Sequence, residues 1–279
     1  MKLKFTWIPF ILAIITGLSV RIYQILNGTH TTVSFLCNME NPSFVLILSI
    51  SVFVLAIIIM SLLCKNELNN TIIMKKNTLS GILLIITAAL LIINSVQNIL
   101  TYVNYNDNMF TLVFGILSML SAIILILIGI SHIMGTKPLN GSLKCLSVLP
   151  TLWACVLLFK MFFTYSSIKG QTIDKMDFFL MIFITLFLFS QIKIICGFEM
   201  ERTRACLWSC GMVIVISAII YSLPMLLVYL FTGVIYNVLN VTLYVTHVAF
   251  AAYVMSMLIS IYKDLPDLSP RRYLVEENN

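Results

Sequence analysis

Few side chains in this sequence have chemistry to offer, and most of them stand in runs that lipid would surround. Arg21 and Lys160 are cations inside long apolar stretches. Asn94, Gln97 and Asn98 fall within about 100° of one helical face, and Asn237, Asn240, Tyr244 and His247 within about 80° of another. Donors facing hydrocarbon would each cost several kcal/mol, so both stripes must face other helices or a wet cavity. One use for them is interhelical hydrogen bonding, worth about 0.6 kcal/mol per contact. The other is a binding site. Two cations among amides, with no acid beside them, suit an anionic or zwitterionic small molecule or lipid headgroup, since cations in low dielectric need a counter-charge. Against this, Arg21 and Lys160 are both near enough to a span end to snorkel to the headgroups. His247, the deepest titratable residue, reads either as a satisfied neutral core histidine or as a proton-relay or ligand group.

Several chemistries are excluded by what the sequence lacks. It contains no Walker loop, no dinucleotide fingerprint and no HExxH, GxSxG or CxxC. All eleven acids are expected in loops or the tail, which leaves no midplane carboxylate for ion coupling and no aspartate pair for intramembrane proteolysis. Three scattered histidines cannot build a hydrolytic metal centre. Cys206 and Cys210 are four apart on one helical face, but no third ligand is evident, and buried free thiols account for them. Cys37 is the lone cysteine expected in an outer loop. The expectation is therefore a protein that is not an enzyme and carries no cofactor or metal.

The elements that must position these residues are membrane helices. Of 279 residues, 60% are hydrophobic and only 10% charged, with a mean hydropathy of +1.04; soluble domains are about half apolar and about a quarter charged. Windows long enough to span a bilayer occur at 7–26, 44–64, 79–100, 109–134, 146–165, 178–196, 205–231 and 235–262. The last two are divided only by Thr232-Gly233-Val234, where Gly233 supplies a turn. The fold class is thus all-α, an eight-span polytopic bundle, with residues 1–262 as one transmembrane domain and 263–279 as a cytoplasmic tail. Thirteen of the seventeen cations fall on the side shared by both termini, and only Arg21, Lys160, Lys169 and Lys175 on the other. That bias sets the N-terminus and C-terminus inside. The net charge of +6 then reflects orientation and not nucleic-acid binding. Lys2 and Lys4 before an apolar stretch imitate a signal peptide, but no extramembrane domain follows for export, so the first span is expected to stay.

Within the spans, Pro224 and Pro150 are expected to kink their helices and free backbone carbonyls, whereas Pro9 lies in a first turn. Thr111, Gly115, Ser118, Ala122 and Gly129 form a small-residue packing face. The stretch Leu149-Pro150-Thr151-Leu152-Trp153-Ala154-Cys155 resembles a segment of uncharacterised multi-span membrane proteins of Gram-positive bacteria; the resemblance covers these seven residues and implies no activity. The abundance of Ile, Asn and Lys suits an AT-rich bacterial genome. The functional expectation is a multi-pass plasma-membrane protein that binds or transports a polar ligand through an outward-facing cavity lined by Arg21, Asn94, Gln97, Asn98, Lys160, Asn237, Asn240, Tyr244 and His247. The alternative is an accessory subunit or sensor that acts by contact with a partner membrane protein.

Overall fold

The computed structural model describes residues 3–26, 42–69, 76–105, 109–135, 141–167, 175–198, 202–232 and 241–263. Among them there is no strand. The helices are α1 (Trp7–Leu26), α2 (Pro42–Leu63), the short α3 (Lys65–Asn69), α4 (Thr78–Tyr105), α5 (Met109–Met134), α6 (Leu149–Ser167), α7 (Lys175–Cys196), α8 (Thr203–Ser217), α9 (Leu223–Thr232) and α10 (Val241–Lys263). A π-helical turn, Ala218–Ser222, joins α8 to α9 as one rod. Eight helical stretches are long and apolar enough to cross a membrane, so the chain is an all-α polytopic bundle of a multi-pass membrane protein. Gly233, Val234, Asn237, Asn240, Cys37 and the tail beyond Lys263 lie outside the described residues.

Contacts at one end of the bundle establish how the spans alternate. The Leu3 N–H donates to Glu67 Oε2 at 2.9 Å, and Trp208 Nε1 donates to Thr6 Oγ1 at 3.3 Å. The Trp7 ring meets Trp208 and Tyr262 edge-on at 6.2 and 6.0 Å. The Asn77 N–H donates to the His132 carbonyl at 2.9 Å, and Cys196 Sγ lies 3.6 Å from the Lys144 carbonyl. The starts of α1, α4 and α8 therefore share this end with the ends of α5, α7 and α10. We call it proximal, and the opposite end distal. It is the end that the charge bias assigns to the cytoplasm.

Sequence and burial agree on which helices sit inside. α2 is apolar on every side and is the least enclosed, as a helix facing lipid should be. α10 and the α8–α9 rod, which carry more polar side chains, are the most enclosed. The small-residue face of α5 packs on α4 at backbone range. A Cβ built on Gly81 would lie 2.6 Å from the Gly129 carbonyl, and one on Gly129 would lie 3.0 Å from the Gly81 carbonyl, so neither site has room for a side chain.

The prolines divide. Pro224 follows the π turn, in which the Leu223 N–H reaches the Ala218 carbonyl five residues back. A proline brings no N–H and pushes on the carbonyl four residues earlier; one extra residue per turn gives that carbonyl room. Pro150 lies where a 3-10 helix, Gly141–Val148, passes into α6, which starts at Leu149. The Leu149 carbonyl accepts from Ser121 Oγ on α5 at 3.0 Å.

Candidate functional site

Gly17 determines how close α1 comes to the π turn, because any Cβ there would overlap the Ile220 side chain. One turn further along α1, Arg21 consequently lies over the face of Tyr221, its Cζ 5.2 Å from the ring centroid. Arg21 Nη1 also donates to Gln24 Oε1 at 3.0 Å. Tyr221 pairs with Tyr244 of α10 at a centroid distance of 6.0 Å. Both phenols donate to Asp177 Oδ2, at 3.1 and 3.2 Å, with their own oxygens 3.4 Å apart. Arg21 is 4% exposed, Tyr244 4%, Tyr221 1%, and Asp177 and Gln24 not at all. A guanidinium, a carboxylate, two phenols and an amide from four spans thus meet in the distal half, walled off from lipid.

Asp177 corrects the expectation that no carboxylate enters a span. The sixth apolar window begins at Phe178, but α7 begins at Lys175, so Asp177 sits in its first turn and inside the bundle. A helix N-terminus, with its unpaired N–H groups, favours an anion there. Arg21 also departs from the snorkelling alternative: its side chain turns inward to Tyr221 and Gln24. Tyr221 was legible in principle, since a tyrosine in mid-span needs a partner for its hydroxyl.

The other expected site residues fall into separate groups. Asn98 Nδ2 donates to Asn94 Oδ1 at 3.0 Å, and Lys160 Nζ donates to Asn98 Oδ1 at 3.2 Å while lying 4.9 Å from the Phe114 ring centroid. This cluster joins α4, α5 and α6. Gln97 faces away from it and accepts from Thr242 Oγ1 of α10 at 2.8 Å, at an exposed position. His247 lies one turn proximal to Tyr244 and is 1% exposed. Arg21 and Tyr244 are therefore brought together by Tyr221, and Asn94, Asn98 and Lys160 by one another.

A third network occupies the proximal half and has no counterpart in the sequence reading. Gln191 Nε2 donates to the Tyr253 hydroxyl at 2.8 Å, and the Tyr253 ring meets His132 at 6.1 Å. Ser80 and Ser256 join their hydroxyls at 2.9 Å on the neighbouring face of α10. On the distal side of this network, Phe187 and Phe250 pack against each other and on the Tyr253 ring, with centroids 5.7 to 6.5 Å apart.

No group of three metal-ligating side chains occurs among the described residues; Cys206 and Cys210 Sγ are 3.8 Å apart without a third ligand. Comparison with protein-family models, with curated proteins and with solved structures finds no match to this chain.

Proposed function

We propose that this multi-pass protein is a binder or carrier, not an enzyme, and that its ligand is a polar small molecule or lipid headgroup bearing a negative charge. The ligand enters from the distal face, which the charge bias makes the outer face of a bacterial plasma membrane. The observation that carries this reading is the convergence of Arg21, Gln24, Asp177, Tyr221 and Tyr244 from four spans onto one buried locus beside a π turn. Buried ionisable groups at this depth are costly unless used, and π turns interrupt membrane helices preferentially at functional sites. Asp177 refines the ligand class. A locus holding both a guanidinium and a carboxylate favours a zwitterion over a simple anion, because each charge of the ligand then meets its opposite.

The test is native mass spectrometry of the protein in nanodiscs, comparing wild type with Arg21→Ala, Asp177→Asn and Lys160→Ala. A defined adduct that is lost in the first two variants and retained in the third supports the distal site and identifies its occupant. Identical adduct patterns in all four proteins would remove the basis for a ligand at this locus. The accessory-subunit reading draws support from Asn98, Lys160 and Gln97, whose side chains bond between helices as structural glue does. It predicts co-purification of a second membrane protein and no small-molecule adduct.

A further inference from the structure

Hydroxyl side chains inside helices commonly bond back to the carbonyl one turn earlier. This chain follows that habit at Ser61, Thr87, Ser118, Thr185, Ser190 and Thr246. Ser217 and Ser222 break it. They bracket the π turn, neither is exposed at all, and their Oγ atoms have no hydrogen-bond partner among the described residues. His247 shares their condition, with Nδ1 and Nε2 both lacking such a partner. Buried polar atoms are nearly always satisfied, so several unsatisfied ones in one region mark a place where something else bonds.

Topology puts Ser217 and His247 at one depth, with Ser222 nearer the distal end. The Tyr221–Tyr244 contact ties the π turn to α10, and α10 packs on both α8 and that turn. The α8–α9 rod and α10 run in opposite directions. One step back from Tyr221 to Ser217 and one step on from Tyr244 to His247 therefore both lead toward the bundle centre, by about 5 Å. Ser222 lies one residue distal of Tyr221, at the level of the distal cluster. The chemistry here differs from that of the cluster above it: a neutral imidazole pairs one donor with one acceptor, a serine hydroxyl does both, and none of the three carries a fixed charge.

We propose that His247 and Ser217 form an inner polar subsite, joined to the distal site at the level of Ser222, that takes an uncharged hydrogen-bonding part of the same ligand, such as a hydroxyl, amide or carbonyl group. This deepens the distal-site reading and rests on it. The ligand is then an elongated molecule, charged at the end held by Arg21 and Asp177 and hydrogen-bonding but uncharged along the part that points to the bundle centre.

Cysteine accessibility tests this and separates it from the reading beneath it. Gln24→Cys, Ser217→Cys, Ser222→Cys and, as a buried control, Ile216→Cys are each placed in a chain whose seven native cysteines are replaced by serine or alanine. The chains are reconstituted in sealed vesicles of known orientation. The probe is the membrane-impermeant trimethylammonium-ethyl methanethiosulfonate, added from the distal side. The expected result is modification of Gln24→Cys, Ser217→Cys and Ser222→Cys at least tenfold faster than Ile216→Cys. Adding His247→Phe, which lines the subsite with an apolar ring, slows Ser217→Cys at least tenfold and leaves Gln24→Cys unchanged. Modification of Gln24→Cys, with or without Ser222→Cys, while Ser217→Cys stays as slow as Ile216→Cys, overturns the subsite and leaves the distal site standing. No modification at Gln24, Ser217 or Ser222 overturns both. Where Ser217→Cys fails to fold against its tight surroundings, His247→Cys takes its place, with the same expected and overturning rates.

Discussion

Replacing Tyr221 and Tyr244 by phenylalanine keeps their ring packing and removes the two hydroxyls that reach Asp177 Oδ2 at 3.1 and 3.2 Å. A hydrogen bond to a charged acceptor contributes about 1.5–3 kcal/mol. The two phenol oxygens are 3.4 Å apart and share one acceptor atom, so in either single variant the surviving hydroxyl recentres and the loss falls at the low end, about 1.5 kcal/mol. The double variant strips both donors from a fully buried carboxylate and costs more than the sum of the singles, about 3–6 kcal/mol. The decisive comparison adds Asp177→Asn. In the wild-type background that change destabilises, because two phenols lose a charged acceptor. In the double-phenylalanine background its cost falls by at least about 1 kcal/mol, because the carboxylate has already lost the phenol donors. The assay is reversible unfolding by steric trapping in bicelles, which returns a free energy for each of the six proteins. If the two phenylalanine changes are additive and Asp177→Asn costs the same in both backgrounds, the phenols do not hold the carboxylate and the proposed locus loses its foundation.

Four further outcomes follow from other contacts. Gly81→Ala and Gly129→Ala each destabilise by about 1–3 kcal/mol through overpacking. Their combination costs less than the sum, because each new methyl presses on the other's backbone carbonyl and one separation of α4 from α5 relieves both; steric trapping of the three variants measures this. Tyr253→Phe leaves the Gln191 amide without the acceptor it now reaches at 2.8 Å, for a loss of about 1–3 kcal/mol that Gln191→Leu in the same chain largely recovers, again by steric trapping. Lys160→Met, which keeps the stem over Phe114 but gives up the bond to Asn98, costs about 1 kcal/mol and leaves any distal-site adduct in place by native mass spectrometry. At the proximal end, burial first and Glu67 second push the Cys64 thiol above its ordinary pKa. Removing the negative neighbour with Glu67→Gln moves it back down, leaves more thiolate at a given pH and speeds maleimide labelling of Cys64 at pH 8; an unchanged rate would contradict the placement of Glu67 beside the thiol.

Apolar run length was enough to read the spans, because lipid imposes one minimum length on every segment. Charge alternation read their order for a related reason, as it depends only on which end each loop occupies. The site was less legible. A helical face can be computed from spacing, so the Asn94–Asn98 stripe was found, and Lys160 was placed at the depth where it meets them. Partners across helices cannot be computed that way. Asp177 closes a polar segment that looks like loop, and its first-turn position depends on where α7 starts, which is the boundary least fixed by hydropathy. Tyr221 was passed over because aromatic residues are common in membrane helices. Its need for a polar partner becomes evident only once Gly17 has brought α1 against Ile220 and Arg21 has been laid on its ring.

The polar contacts of α10 lie on two opposite sides. Thr242 and Ser256 meet α4 and Tyr253 meets Gln191 of α7, all within about 60° at 100° per residue, while Tyr244 meets Asp177 and Tyr221 on the opposite side. The stripe read from the sequence followed the Tyr244 side alone, which is why Tyr253 and Ser256 fell outside it. Rotation of α10 would break its bonds to α4 and α7 together. If access to the distal site is by separation of the π turn from α10, the Tyr221–Tyr244 pair is the contact that opens. A disulfide joining α9 to the distal end of α10 should accordingly stop labelling of Ser222→Cys while leaving the proximal Gln191–Tyr253 network intact.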